Sequence, residues 1–321
     1  MISKRKKVWV KVALLSACFF MTGYSRKLAL ARETEEPLRA VIFYQSQIWV
    51  QDINIMEQIA RGIQKGLEGH AEVALSCYGL GNMTMSDVME AAVNMKTDVL
   101  IYYGLNSQEA LTEYQKLADH GIRLILVDGD AKESGRFAYI GTDNYNSGIR
   151  AAELVAEKSG TDTSIAVLAP DMETSLRSVG ARLEGFKEGA EQNGLKITSY
   201  CETTYDSLTA IEKIEELLKE YPNLEVLFCA EAVSGQAAAD VLGEQGLAEE
   251  ITVMTYDRNE NIEKDLKNQV IDVTFAQNTE EIGKACAKQL IELAENRSME
   301  TGTDMMFDCI PITAKDLEEE E

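Results

Sequence analysis

Acidic, amide and phenolic side chains recur where apolar runs stop. "LILVD" ends in Asp128, "VLFCAE" in Glu231, "VMTYD" in Tyr256 and Asp257, "VLIYY" in Tyr102 and Tyr103, and "DVTFAQ" in Gln277. Carboxylates accept hydrogen bonds from hydroxyl or ammonium groups, an amide both donates and accepts, and an aromatic face covers an apolar surface. Any one of these residues can equally start a loop or cap a helix. Their repetition at strand ends points to a shared polar crevice.

Catalytic constellations are missing. The two histidines, His70 and His120, follow helical runs and have no partner at metal-ligand spacing. "GLGNMT" lacks the third glycine of a dinucleotide fingerprint, having Thr84 there, and "DGD" at Asp128–Asp130 lacks the later ligands of a calcium loop. There is no nucleophile elbow and no phosphate-binding loop. The expectation is a protein with no catalytic residues, no metal and no cofactor.

The elements that must carry the crevice are legible as alternation. From Leu38 onward, strand-length apolar runs ("RAVIFYQ", "AEVALSCY", "TDVLIYYG", "IRLILVDGD", "AYIGTD", "SIAVLAP", "LKITSYC", "LEVLFCAE", "ITVMTYD", "IDVTFAQ") alternate with helical stretches. Continuous Val, Ile and Leu suit strands covered on both faces, as in a parallel sheet. Between them, Leu176, Val179, Leu183, Phe186 and Ala190 share one helical face, as do Ile211, Ile214 and Leu218. Asp206 and Ser207 read as the start of the latter helix and Pro222 as its stop. About ten strands exceed one comfortable open sheet, so the pattern predicts an α/β protein of two doubly wound parallel-sheet lobes. In such sheets ligands bind beyond the carboxyl ends of the strands.

Charge separates the N-terminus from this body. Residues 1–32 hold eight of the 31 basic residues and none of the 54 acidic ones, so the rest is more acidic than the net −23 implies. An acidic body repels nucleic-acid phosphates, and no nucleic-acid partner is expected. Residues 1–31 read as an export segment: Lys4–Lys7 form a basic start, and Val8–Tyr24 are apolar except for Lys11 and polar Ser16, Thr22 and Gly23. Three fates stay open. "LSAC" would make Cys18 a lipidated N-terminus, "ALA" at Ala29–Ala31 offers ordinary cleavage, and the uncleaved segment would be a membrane anchor. All three place the body outside the cytoplasm. The five later cysteines show no Cys-x-x-Cys spacing and read as free thiols.

Several separated motifs resemble one family. "GIRLILVDGD", "YIGTDNYNSGIRAAE", "ARLEGFKEGAE", "ITVMTYDRNE" and "IDVTFAQNTEEIGKACAKQL" are similar, in order, to motifs of the type I periplasmic sugar-binding proteins, the ribose- and galactose-binding group. The resemblance covers roughly residues 38–315. It implies the periplasmic-binding-protein type I fold, with lobe 1 from 38–142 plus 278–304, lobe 2 from 143–277 plus 305–315, a three-segment hinge, and an acidic tail at 316–321.

The resemblance also implies roles. Asp128, Arg182, Asp257 and Gln277 stand where the family binds sugar hydroxyls, Tyr205 and Tyr256 where it places aromatic walls, and Tyr103 and Glu231 where it often has asparagine. The family's Asn-Pro-aromatic-aromatic loop is replaced by "QSQIWVQDINIM", which offers Trp49, and Gly129 stands where an arginine often follows the aspartate. These departures make the pocket more acidic, which suits a polyol or an amine better than an acid sugar. The implied function is a monomeric extracytoplasmic solute-binding protein that delivers a sugar-like ligand to an ABC importer by hinge closure. A ligand-sensing receptor that signals to a membrane histidine kinase or chemoreceptor is the alternative on the same fold. A DNA-binding repressor would need a helix-turn-helix domain where the chain carries its apolar N-terminal segment.

Overall fold

The computed structural model describes residues 36–44, 55–105, 107–170 and 177–320. Cys18, Ala31 and Trp49 lie outside them, and with them the export segment and one proposed ligand contact. In chain order the elements are β1 (Leu38–Tyr44), α1 (Ile55–Gly66), β2 (Val73–Gly79), α2 (Met85–Asn94), β3 (Val99–Tyr103), α3 (Gln108–Asp119), β4 (Arg123–Val127) and β5 (Ala138–Thr142). Next come α4 (Asn144–Ser159), β6 (Ile165–Pro170), α5 (Arg177–Gln192), β7 (Ile197–Thr203), α6 (Ser207–Glu220), β8 (Val226–Cys229) and α7 (Ala232–Gln245). The chain closes with β9 (Thr252–Tyr256), α8 (Glu260–Lys267), β10 (Val273–Ala276), α9 (Thr279–Glu295), β11 (Met305–Phe307), β12 (Ile310–Ile312) and α10 (Ala314–Glu320).

Two sheets result, ordered β11-β5-β4-β3-β1-β2 and β12-β10-β9-β8-β6-β7. The orders correspond strand for strand. All pairings are parallel except β10 with β12. Inner strands such as β6 and β8 are buried at every residue, whereas edge strand β7 alternates between exposed and partly buried positions. Apolar clusters lie on both faces of each sheet, which is why the inner strands read as unbroken apolar runs. Asp206 accepts from the Thr209 amide at 2.8 Å and starts α6, which ends at Glu220 just before Pro222.

The chain passes between sheets at three places: β5 into α4, β10 into α9, and β11 into β12. Two boundaries differ from the expectation. Segment 305–315 is split, because Met305–Phe307 pairs with β5 of the first sheet and only Ile310–Ile312 joins β10 of the second. The expected acidic tail is largely helix α10, held to the core by buried Leu317 beside Ile262 and Leu266 of α8. Among the described residues no helix is long and apolar enough to cross a membrane.

Close helix crossings on either side of the crossover set the frame. A Cβ on Gly148 of α4 would lie 2.1 Å from the Arg182 carbonyl oxygen, and one on Gly185 of α5 would lie 1.9 Å from that of Tyr145. Helices α1 and α9 meet in the same way at Gly62 and Gly283, where a Cβ on Gly283 would lie 2.5 Å from the Ile59 oxygen. These obstacles are backbone and cannot swing aside. Gly148→Ala should therefore cost at least about 2 kcal/mol in urea denaturation. Gly243→Ala in α7, whose Cβ would meet nothing within 4 Å, should be neutral or gain up to about 1 kcal/mol.

Candidate functional site

Asp128 and Asp257 occupy corresponding places, each directly after the matching strand of its sheet, β4 and β9. Both have left-handed backbone, with φ of 61° and 67°. That conformation costs energy in most residues and is best tolerated by Gly, Asn and Asp. Hydrogen bonds hold the two peptides there: the Tyr139 hydroxyl donates to the Asp128 carbonyl at 3.1 Å, and Thr274 Oγ1 to the Asp257 carbonyl at 2.5 Å.

Gln277, at the second crossing, joins the pair. Its Nε2 donates to Asp257 Oδ1 at 3.0 Å and its Oε1 accepts from Thr142 Oγ1 at 2.7 Å. One amide thus links Thr142, ending β5 of the first sheet, to Asp257, after β9 of the second.

Arg182, on α5, is 2% exposed. Its Nε donates to Asn144 Oδ1 at 2.8 Å and its Nη1 to the Ala230 carbonyl at 3.1 Å. The guanidinium carbon sits 4.1 Å from the centre of the Tyr256 ring, a cation–π contact. Burial works against the charge, but Asp257, Tyr256 and, more weakly, Asp128 outweigh it and keep the guanidinium firmly protonated. A fixed cation facing carboxylates beside an interlobe crossing can orient a ligand rich in hydroxyl or amino groups.

Residues 48–298 match the family described as "Periplasmic binding protein domain". The chain belongs to this family. It is similar to the ribose import binding protein RbsB of Bacillus subtilis (strain 168), at 21% identity over 244 residues, 74% of this chain and 78% of that protein. Among solved structures it is similar to GanP, a glucose-galactose binding protein from Geobacillus stearothermophilus, with a TM-score of 0.77 at 22% identity over 88% of this chain and 99% of GanP. It is also similar to a chain of the XylFII-LytSN complex, with a TM-score of 0.72 at 20% identity over 88% of this chain and 100% of the other. At these identities the structural likeness establishes the fold. Periplasmic binding proteins bind without catalysing a reaction and act outside the cytoplasm, and this chain is one of them.

Within this periplasmic-binding-protein frame the other expected contacts fare unequally. Tyr256 is not a wall of the crevice: it is fully buried, stacked with Phe275 at 5.2 Å and edge-on to Phe228, and its hydroxyl accepts from Ser147 Oγ at 3.1 Å. Its work is to support Arg182. Glu231 is also buried, and its carboxylate caps α7, accepting from the amides of Val233 at 2.5 Å and Ser234 at 2.9 Å and from the Ser234 hydroxyl. Tyr103 is half-buried at the end of β3, and its hydroxyl accepts from Tyr102 at 3.1 Å. Tyr205 is 39% exposed just past edge strand β7, three places from β9 in the sheet.

Sequence reasoning missed Asn144 as the partner of Arg182. It missed Cys309 as well. Burial pushes that thiol up to about 11, with Arg182 and Ser147 opposing. A hollow of about 630 Å³ next to Gln277 is lined by Gln58, Arg258, Asn278, Thr279 and Ile310, but Asp128, Arg182 and Asp257 do not border it. Among the described residues no group of three or more His, Cys, Asp or Glu is placed to hold a metal ion.

Asp128 is half-buried. Burial raises its pKa, Arg182 opposes, Asp257 adds to the rise and Gln277 opposes, and the net direction is upward. A carboxylate raised on folding costs nothing below its unfolded pKa and destabilises as pH climbs from that value through the folded one. Asp128→Asn should therefore melt higher than the parent at neutral pH without ligand. The gain should fade as pH falls below about 4. Thermal melts across that range check both the sign and the fading.

Proposed function

We propose that this protein captures a sugar or sugar-like polar solute between its two lobes and delivers it to an ABC importer. The observation that carries the reading is that Asp128 and Asp257 end matching strands of the two sheets, that Gln277 at a crossing between the sheets bonds Asp257 and Thr142, and that buried Arg182 is within electrostatic reach of both aspartates. Carboxylates and a guanidinium bind neighbouring hydroxyls through charge-assisted hydrogen bonds. Relatives add support: RbsB of Bacillus subtilis is a ribose import binding protein, a relative in Escherichia coli (strain K12) binds D-allose, and a solute-binding protein of the same fold from Bacillus halodurans holds myo-inositol. Binding would favour closure about the three crossings only to the extent that the ligand prefers the closed form.

The residues proposed to hold the solute are Asp128, Arg182, Asp257 and Gln277, with Tyr103, Tyr205 and Trp49 as outer contacts and Glu231 as a supporting charge. Attachment to the membrane, through a lipid on Cys18 or an uncleaved segment, belongs to the same proposal. So does the alternative of release by cleavage after Ala31. A second reading is a receptor that passes its closed state to a membrane sensor. It is favoured by the likeness to the XylFII molecule solved together with LytSN.

Titration against a sugar and polyol panel should give saturable heat and a raised melting temperature. Silence across the panel would end the proposal. Asp257→Ala should keep the fold and weaken binding of the best ligand by about 2 kcal/mol or more, about 30-fold. Co-purification with a permease or with a kinase ectodomain separates the two readings.

A further inference from the structure

The ionisable groups at the strand ends do not balance. Asp128 and Asp257 follow matching strands β4 and β9 and Glu231 follows β8, while buried Arg182 is the cation within electrostatic reach of the two aspartates. Arg182 is already engaged by Asn144, the Ala230 carbonyl and the Tyr256 ring, which makes it a fixed charge that one carboxylate satisfies. Glu231 is fixed too, tied to the start of α7 and within electrostatic reach of Asp257.

Nearby cations are committed to other acids. Arg136 binds Asp130 at 2.5 Å and Asp304 at 2.7 Å, and Arg258 binds Glu263 at 2.6 Å. The loop after β4 has no room for another cation beside Asp128. A Cβ on Gly129 would lie 2.5 Å from the Gly104 carbonyl oxygen, and one on Gly104 only 1.9 Å from that of Gly129. Two backbones meet there, so any side chain at position 129, an arginine included, would force the loops apart.

We propose that the cleft selects a cationic sugar-like ligand, an amino sugar or an amine-bearing polyol, over its neutral counterpart. The proposal rests on the reading of this cleft as the solute site and names the class of solute. A neutral sugar enclosed by closing lobes would leave net negative charge removed from water with nothing to offset it. A ligand ammonium supplies the missing cation and donates to Asp128 and Asp257 together.

The test is calorimetric titration of the full-length protein at neutral pH with matched pairs: D-glucosamine and D-glucose, D-galactosamine and D-galactose, D-mannosamine and D-mannose, and 1-deoxynojirimycin and 1,5-anhydro-D-glucitol. In at least one pair the amine should bind roughly tenfold tighter or more, the size of one hydrogen bond to a charged group. N-acetylation of that amine should remove the advantage, and Asp128→Asn or Asp257→Asn should compress it. If neutral sugars bind as tightly as their amino counterparts or tighter, the proposal is overturned while the solute-binding reading stands. If no amine, no neutral partner and no member of the wider panel binds, that reading fails and the proposal fails with it.

Discussion

Arg182 carries a permanent charge where water scarcely reaches, and a buried guanidinium is stable only when its hydrogen bonds and charge are answered locally. The answers come from separate parts of the chain: Asn144 at the start of α4, the Ala230 carbonyl after β8, the Tyr256 ring ending β9, and the carboxylates of Asp257 and Asp128. Placing the guanidinium therefore demands that α4 and α5 touch and that the second sheet ends where it does. The bare glycine contacts at Gly148 and Gly185 satisfy the first demand. Tyr256 converts core packing into a platform for the site, so the stability of the second lobe and the geometry of the cleft are one problem.

The two lobes solve their common geometry with the same devices. Equal strand orders, left-handed aspartates after β4 and β9, and glycine crossings of α1 with α9 and α4 with α5 recur in both. They differ in charge. The second lobe brings Arg182 and Glu231, whereas the first brings Asp128 and a loop contact at Gly104 and Gly129 that excludes side chains.

The α/β layering and the strand ends were legible because strands covered on both faces must be apolar throughout, and because a strand's last residue meets the cleft. Asp128, Asp257 and Gln277 were singled out by that logic and Arg182 by the resemblance, and Gln277 bonds Asp257. The lobe boundary near the end was misplaced because β11 and β12 are three residues each, and their partners are set by distant pairing rather than local composition. Tyr256 was misread although alternation held the clue: it shares a face and an apolar cluster with Met254. Glu231 followed by Ser234 carries a helix-start spacing, and the capping role won. The left-handed backbone at the two aspartates left no mark in the sequence beyond their being aspartates.

The central claim is that one polar solute is held by both lobes at once. Small-angle X-ray scattering on the full-length protein, with and without a saturating amount of the panel ligand that most raises its melting temperature, tests it most directly. The account predicts a smaller radius of gyration in the presence of ligand, with the contraction abolished in Asp257→Ala at the same ligand concentration. An unchanged scattering profile at proven saturation, from a chain whose lobes are apart without ligand, would contradict it.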